Sequence, residues 1–219
     1  MSFYMHYQAI YTDKNISYAE ALFRNDEVSD MESFIKSQAD ALAFDKKVIE
    51  KVISEIEIHR PSFPISVNVS AASICNENFV DFCCSTLLQH NLYLELIEDG
   101  YPLDYLSAKE NISKLEVAGV KVIMDDFGVK DANFINLIRL GIKNIKIDKS
   151  LVLNVDSDTE KQRILKSIVG ILDFMKIEQI TYEGVETNAQ YDAVRNISKH
   201  CAIQGFLLSQ PTSMANLTI

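Results

Sequence analysis

VKVIMDDFGVKDANFINLIRLGIKNIKID, residues 120–148, holds the pattern that decides the fold. The apolar run that opens it reads as a buried strand over 120–126. Apolar residues at helical spacing follow over 131–140, and a second apolar run, IKNIKID, reads as a strand over 142–148. Strand, helix and strand joined by short connections form a parallel unit, because the helix must carry the chain back before the next strand begins. The first strand also poses a problem. It ends in adjacent carboxylates, Asp125 and Asp126, which repel each other and lose hydration wherever a strand mouth is enclosed.

The same rhythm extends outward in both directions. Upstream lie strands over 63–71 and 92–98, with helices over 76–90 and 107–118; downstream lie helices over 158–175 and 188–199, with strands over 178–186 and 202–209. Two alternating runs at the start, 6–12 and 17–25, flank Asp13-Lys14-Asn15-Ile16 as a hairpin, and the stretch 31–58 carries two amphipathic helices. Eight strands result. The expected fold is an α/β barrel of the TIM type, (β/α)8 modified by one antiparallel strand near the N-terminus, with 1–219 as a single domain. No Pro- or Gly-rich linker, repeat or low-complexity segment interrupts it.

Composition narrows the function. With 21 basic and 31 acidic residues, the net charge of −10 argues against binding a nucleic-acid polymer, and an anionic substrate has to meet local cations. No run is long enough to span a membrane, and the polar start lacks the design of a signal peptide. The cysteines Cys75, Cys83, Cys84 and Cys201 show no CxxC spacing and read as reduced thiols of a cytoplasmic protein.

In a barrel of this kind the active site lies at the C-terminal ends of the strands. Those ends carry Glu20, Asn68, Glu95, Asp125-Asp126, Lys146 with Asp148, Glu183 with Glu186, and Gln204. Taken singly, each has an ordinary explanation: Asp125-Asp126 could cap the next helix, and Lys146 could snorkel. Taken in strand order they converge on one pocket. So many carboxylates cannot all stay ionised there without cations, and hard divalent ions such as Mg²⁺ or Mn²⁺ take carboxylate and amide oxygens. The DFG within DDFG invites a kinase reading, which fails because the chain has neither a GxGxxG loop nor an HRD triplet.

With these residues in order, the chain resembles the EAL phosphodiesterases, which hydrolyse cyclic di-GMP to linear pGpG. The likeness rests on Glu20-Ala21-Leu22 followed by Arg24, VNVS (67–70), Glu95 and Glu98 in ELIED, DDFG (125–128), KID (146–148), EGVET (183–187) and QGF (204–206). It implies two divalent cations. Glu20, Asn68, Glu95 and Asp125 would bind one; Asp125 and Asp126 would bind the second, with Glu183 close to it or to its water. Lys146 would hold and polarise the attacking water, and Glu186 would steady the loop after strand five. Arg24 would contact a substrate phosphate, with Gln8, Leu22, Asp148 and Gln204 lining the substrate site. A homodimer is also implied.

The chain departs from the family around this site. Val129-Lys130-Asp131 stands where Thr-Gly-Tyr is usual, Ile97 replaces a Thr, Tyr182 a small residue and Ala9 a proline. These changes remove hydroxyl and glycine support for the second metal. Two expectations follow: an active but sluggish enzyme, or a weakly active or inactive relative that binds cyclic di-GMP or a protein partner. The barrel is expected to stand without an attached sensor or cyclase domain, with control from expression, a regulatory partner or the loop itself.

Overall fold

The computed structural model describes residues 3–38, 40–97 and 104–217. Its strands are β1 (Tyr4–Thr12), β2 (Asn15–Arg24), β3 (Ile65–Val69), β4 (Leu92–Leu96), β5 (Val122–Phe127), β6 (Asn144–Ile147), β7 (Gln179–Tyr182) and β8 (Ala202–Ile203). They close into a barrel in sequence order. β1 runs antiparallel to both β2 and β8, and every other pairing is parallel. The two-residue turn at Asp13-Lys14 makes this possible. Thr12 pairs with Asn15 across it, and Asp13 takes the left-handed conformation (φ 56°) that such turns need.

The described helices are α1 (Met31–Lys36), α2 (Ala41–His59), α3 (Ala71–Ile74), α4 (Glu77–Thr86), α5 (Tyr105–Val117), α6 (Phe134–Leu140), α7 (Lys149–Val152), α8 (Thr159–Phe174), α9 (Asn188–Ile197) and α10 (Met214–Leu217). Side-chain caps set several starts. Asn133 accepts from the backbone of Ile135 and Asn136, so α6 begins after it rather than at 131. Thr187 and Gln190 form a reciprocal capping box at α9. Among the described residues, no helix is long and apolar enough to cross a membrane.

Alternation along the strands sorts the interior. Outward residues such as Val67, Leu94, Ile145 and Tyr182 join the helices in one large core. Inward residues Ile10, Tyr18, Ile123 and Ala202, with Tyr93 against them, form a separate cluster that plugs the barrel. Tyr18 crosses this plug to reach the Thr181 hydroxyl at 3.1 Å. β3, β4, β7 and β8 stop two to six residues short of the expected ends, whereas β1 ends at Thr12 as expected and β5 runs one residue further, to Phe127. β7 stops at Tyr182 because Gly184 turns the chain at φ 68°, and β8 stops at Ile203.

Candidate active site

Period two places the next inward residue one layer above the plug. Two positions from Ile10, Tyr18, Tyr93, Ile123 and Ala202 stand Gln8, Glu20, Glu95, Asp125 and Gln204. Asn68 on β3, Lys146 on β6 and Glu183 just beyond β7 complete a polar ring, with one member from each strand or its immediate end. The sequence reading placed Glu183 and Gln204 within strands seven and eight. They follow those strands directly, and the ring is unchanged by the difference.

Lys146 sits at the centre and is 1% exposed. Its Nζ lies 3.0 Å from Glu20 Oε2, 2.8 Å from Glu95 Oε2, 3.0 Å from Asp125 Oδ1 and 2.7 Å from Glu183 Oε1. One ammonium therefore faces four carboxylates, and the balance cannot be neutral if all are ionised. Burial, reinforced by the charge of Glu20, pushes Glu95 up to about 8. Burial also raises Asp125 and Glu183 against the pull of Lys146. Glu20 moves the other way. Burial opposes its charge, yet Lys146 and donors from Gln204 and Asn68 outweigh that, so its carboxyl lies below the ordinary range.

Amide donors aim Glu20. Asn68 Nδ2 donates to Oε1 at 2.9 Å and Gln204 Nε2 to Oε2 at 2.8 Å. Gln204 also donates to Gln8 Oε1 at 3.1 Å, and Gln8 donates to the Ser209 carbonyl at 2.9 Å. The amides of Gln8 and Gln204 thus face into the ring. The Asn68 amide, having turned its NH₂ to Glu20, leaves Oδ1 buried without a hydrogen-bond donor, and Glu95 Oε1 is in the same position. Buried acceptors without donors are costly unless something cationic meets them. Two such oxygens beside a carboxylate cluster fit a hard divalent ion.

The adjacent aspartates resolve the problem posed by the sequence. On a regular strand, neighbours point to opposite faces, so only one of the two would reach the pocket. Asp126 instead adopts φ 49°, and the β5–β6 pairing shifts register between Met124 and Phe127. This irregularity re-aims Asp126. Ligand atoms of Asp125, Asp126 and Glu183 then all lie within 4.8 Å of one another, a second oxygen set of metal-binding size.

The EAL-domain family model matches residues 1–211. The chain belongs to the EAL-domain family. It is 30% identical over 152 residues to the bifunctional diguanylate cyclase/cyclic di-GMP phosphodiesterase MucR of Pseudomonas aeruginosa, which covers 67% of this chain and 22% of MucR. The chain spans about a fifth to a third of the length of the curated relatives it matches. The solved PaMucR phosphodiesterase in complex with cyclic di-GMP superposes with TM-score 0.83 at 25% identity, over 99% of this chain and 100% of that one. The manganese and cyclic di-GMP complex of Klebsiella pneumoniae BlrP1 superposes with TM-score 0.84 at 23% identity, over 97% of this chain and 56% of that one, and shows the same fold.

In this EAL barrel the remaining expected residues stand as follows. Leu22 and Arg24 share the inward face of β2 with Glu20, and both line a cavity of about 290 Å³ together with Asn68, Asp125 and Asp126. Arg24 spends one donor on the Phe23 carbonyl at 2.8 Å. Asp148 is 8% exposed, and its Oδ1 caps α7 by accepting from Ser150 N at 2.8 Å. Glu186 is exposed and not on a strand; its backbone N–H donates to Gln190 Oε1, and among the described residues its carboxylate joins neither the ring nor the loop after β5. Glu98 lies outside the described residues.

The altered loop is closed without Thr-Gly-Tyr. Gly128 N donates to Ala132 O at 2.7 Å, Val129 N to Asp126 O at 3.1 Å, and Asn136 Nδ2 to Asp131 O at 2.9 Å. Lys130 nevertheless takes the left-handed φ of 44° that glycine adopts freely. The N–H exposed by Ala9 in place of a proline meets Ser209 Oγ at 3.2 Å. One buried carboxylate escaped the sequence reading. Asp45 heads the α2 stripe Asp45, Val48, Ile49, Val52, Ile56, and an acid at the head of an apolar stripe was the available signal.

Proposed function

We propose that the protein is a metal-dependent phosphodiesterase that hydrolyses cyclic di-GMP to linear pGpG. The observation that carries this reading is the polar ring itself: four carboxylates around Lys146, with buried, donorless oxygens on Asn68 and Glu95. A fold needs no such cluster for stability, and its retention opposes the reading of a receptor that has lost catalysis.

Glu20, Asn68, Glu95 and Asp125 would hold one divalent ion, and Asp125, Asp126 and Glu183 the other. Two such ions, Mg²⁺ or Mn²⁺, supply charge neutralisation at the phosphodiester and a water of lowered pKa when bound. Lys146 brings a fixed ammonium to the place where negative charge develops, and it orients four of the candidate ligands at once. Arg24, with donors to spare beyond Phe23 O, neutralises a substrate phosphate in a chain whose overall charge would repel it. Gln204 holds Glu20 in one orientation with Gln8 behind it, and Gln8, Leu22, Asp148 and Gln204 border the substrate. In the net reaction water adds to phosphorus, one P–O bond breaks, and the ring opens. Glu186 is assigned no contact in this scheme beyond the loop role that the family resemblance implies.

A cytoplasmic site of action accords with four free cysteines, and a homodimer and a regulatory protein partner belong to the same proposal. Calorimetric titration of metal-free protein with Mn²⁺ tests the site. Wild-type protein binds, and Glu20→Ala and Asp125→Ala each weaken binding severely. Equal binding in both variants would sink the carboxylate-ring assignment.

A further inference from the structure

We infer that Asp45 is a positioning residue for the metal-binding oxygen of Asn68, acting through the turn that joins β3 to α3. The inference rests on the proposed metal site and concerns a residue outside the ring.

Asp45 occupies the buried stripe of α2 and is 5% exposed, and among the described residues no cation pairs with it. A carboxylate in that position is unfavourable unless donors replace its lost hydration. One oxygen collects all of them. Oδ2 accepts from Ser70 N at 2.8 Å, Ser70 Oγ at 2.8 Å and Ser73 Oγ at 2.7 Å. The donors lie on Ser70, which directly follows β3, and on Ser73 of α3, and Ser70 is also the residue that caps α3 by accepting from Ser73 N. Bonds to an ionised acceptor are roughly twice as strong as neutral ones, so this clamp is stiff.

Asn68 stands two residues before Ser70 at the end of β3. Its amide is divided: the NH₂ serves Glu20, and Oδ1 is buried with no donor. Aiming that oxygen requires a fixed backbone on both sides of Asn68. On the strand side, β4 supplies it through the Asn68–Glu95 register. On the turn side the side chain that supplies it is Asp45. Asp45 and Asn68 also border the same cavity. Groups that orient a metal ligand typically change affinity or activity by about 10–100-fold when lost.

The test compares Asp45→Asn with Val52→Ala, which opens a hole under the same helix further from the turn, since Val52 is fully buried in the α2 stripe. Metal-free proteins are titrated calorimetrically with Mn²⁺ well below their melting temperatures. Both variants should melt earlier than wild type, but only Asp45→Asn should weaken Mn²⁺ binding, by about tenfold. Ser73→Ala removes one of the three bonds with little risk to folding and should weaken binding by a smaller factor. Unchanged affinity in Asp45→Asn, or in Ser73→Ala if Asp45→Asn does not fold, overturns the positioning role while leaving the metal site intact. Equal loss in Val52→Ala also overturns it, because the effect would then be general loosening. A wild-type protein that binds no Mn²⁺ overturns the metal reading and this inference with it.

Discussion

At Lys146 a single methylene chain carries the only cation found within 3.0 Å of Glu20, Glu95, Asp125 and Glu183 among the described residues. Removing one partner of a buried charge cluster is worse than removing all of it, since the others remain desolvated and unpaired. Lys146→Ala should therefore lower the stability of the metal-free protein by about 3–5 kcal/mol in urea unfolding. Saturating Mn²⁺ should restore much of that loss, because the ions replace the missing charge. At saturating metal the same variant should hydrolyse cyclic di-GMP orders of magnitude more slowly while still binding it. Wild-type turnover would remove Lys146 from the chemistry.

Asp126 permits a cleaner separation of backbone from charge. Asn tolerates the left-handed conformation as well as Asp does, so Asp126→Asn keeps the φ of 49° and loses the ligand charge. In the metal-free protein, loss of one negative charge beside Asp125 and Glu183 relieves repulsion, so Asp126→Asn should be no less stable than wild type in urea unfolding. Mn²⁺ stoichiometry or affinity should fall. A variant with undiminished Mn²⁺ binding would mean that the turn of Asp126 toward Glu183 serves no ion.

Among the elements, the loop after β5 shows how much of the site the sequence disclosed. The strand–helix alternation was legible because apolar runs of strand and helix length have different periods, and strand order then followed from short connections. The ring was legible for a related reason, since a polar residue between apolar neighbours, as in Leu94-Glu95-Leu96 or Ile145-Lys146-Ile147, marks an inward position that is not plug. What could not be read was the departure from period two at Asp126. It arises from a register shift set by tertiary pairing with β6. Asp45 was missed similarly, because its donors sit on a turn 25 residues away in sequence. The loss of glycine at Lys130 was legible, and the structure supplies its consequence, a non-glycine residue at φ 44°. Left-handed backbone costs an L-residue roughly 1–2 kcal/mol, partly offset by the greater freedom glycine has when unfolded. Lys130→Gly should stabilise the protein by roughly 0.5–1 kcal/mol. Val129→Thr, Lys130→Gly and Asp131→Tyr together should also raise turnover and lower the metal concentration for half activity. No gain at any metal concentration would mean that the loop does not limit the reaction.

On the scale of the whole molecule, the ring depends on how the ends of the last two strands are held together. Val185 N donates to Gln204 O and Leu207 N to Val185 O, interlocking the segments after β7 and β8. Gly205 lies inside this lock, where an added Cβ would stand 1.9 Å from Val185 O. A backbone atom cannot step aside as a side chain does. Gly205→Ala should therefore cost more than the roughly 1–3 kcal/mol typical of overpacking, read by thermal melting. It should also displace Gln204 from Glu20. A variant as stable as wild type would show that the close approach of Gly205 to Val185 does not hold these segments together.

The proposed activity is metal-dependent hydrolysis of cyclic di-GMP by residues that eight strand ends bring together. It is tested most directly by incubating the purified protein with cyclic di-GMP and Mn²⁺ and separating the products by chromatography. Linear pGpG should accumulate with Mn²⁺, stop when EDTA is added, resume when Mn²⁺ is restored, and be absent with Glu20→Ala. No pGpG from folded wild-type protein at any Mn²⁺ or Mg²⁺ concentration, or pGpG formed equally in EDTA, would contradict it.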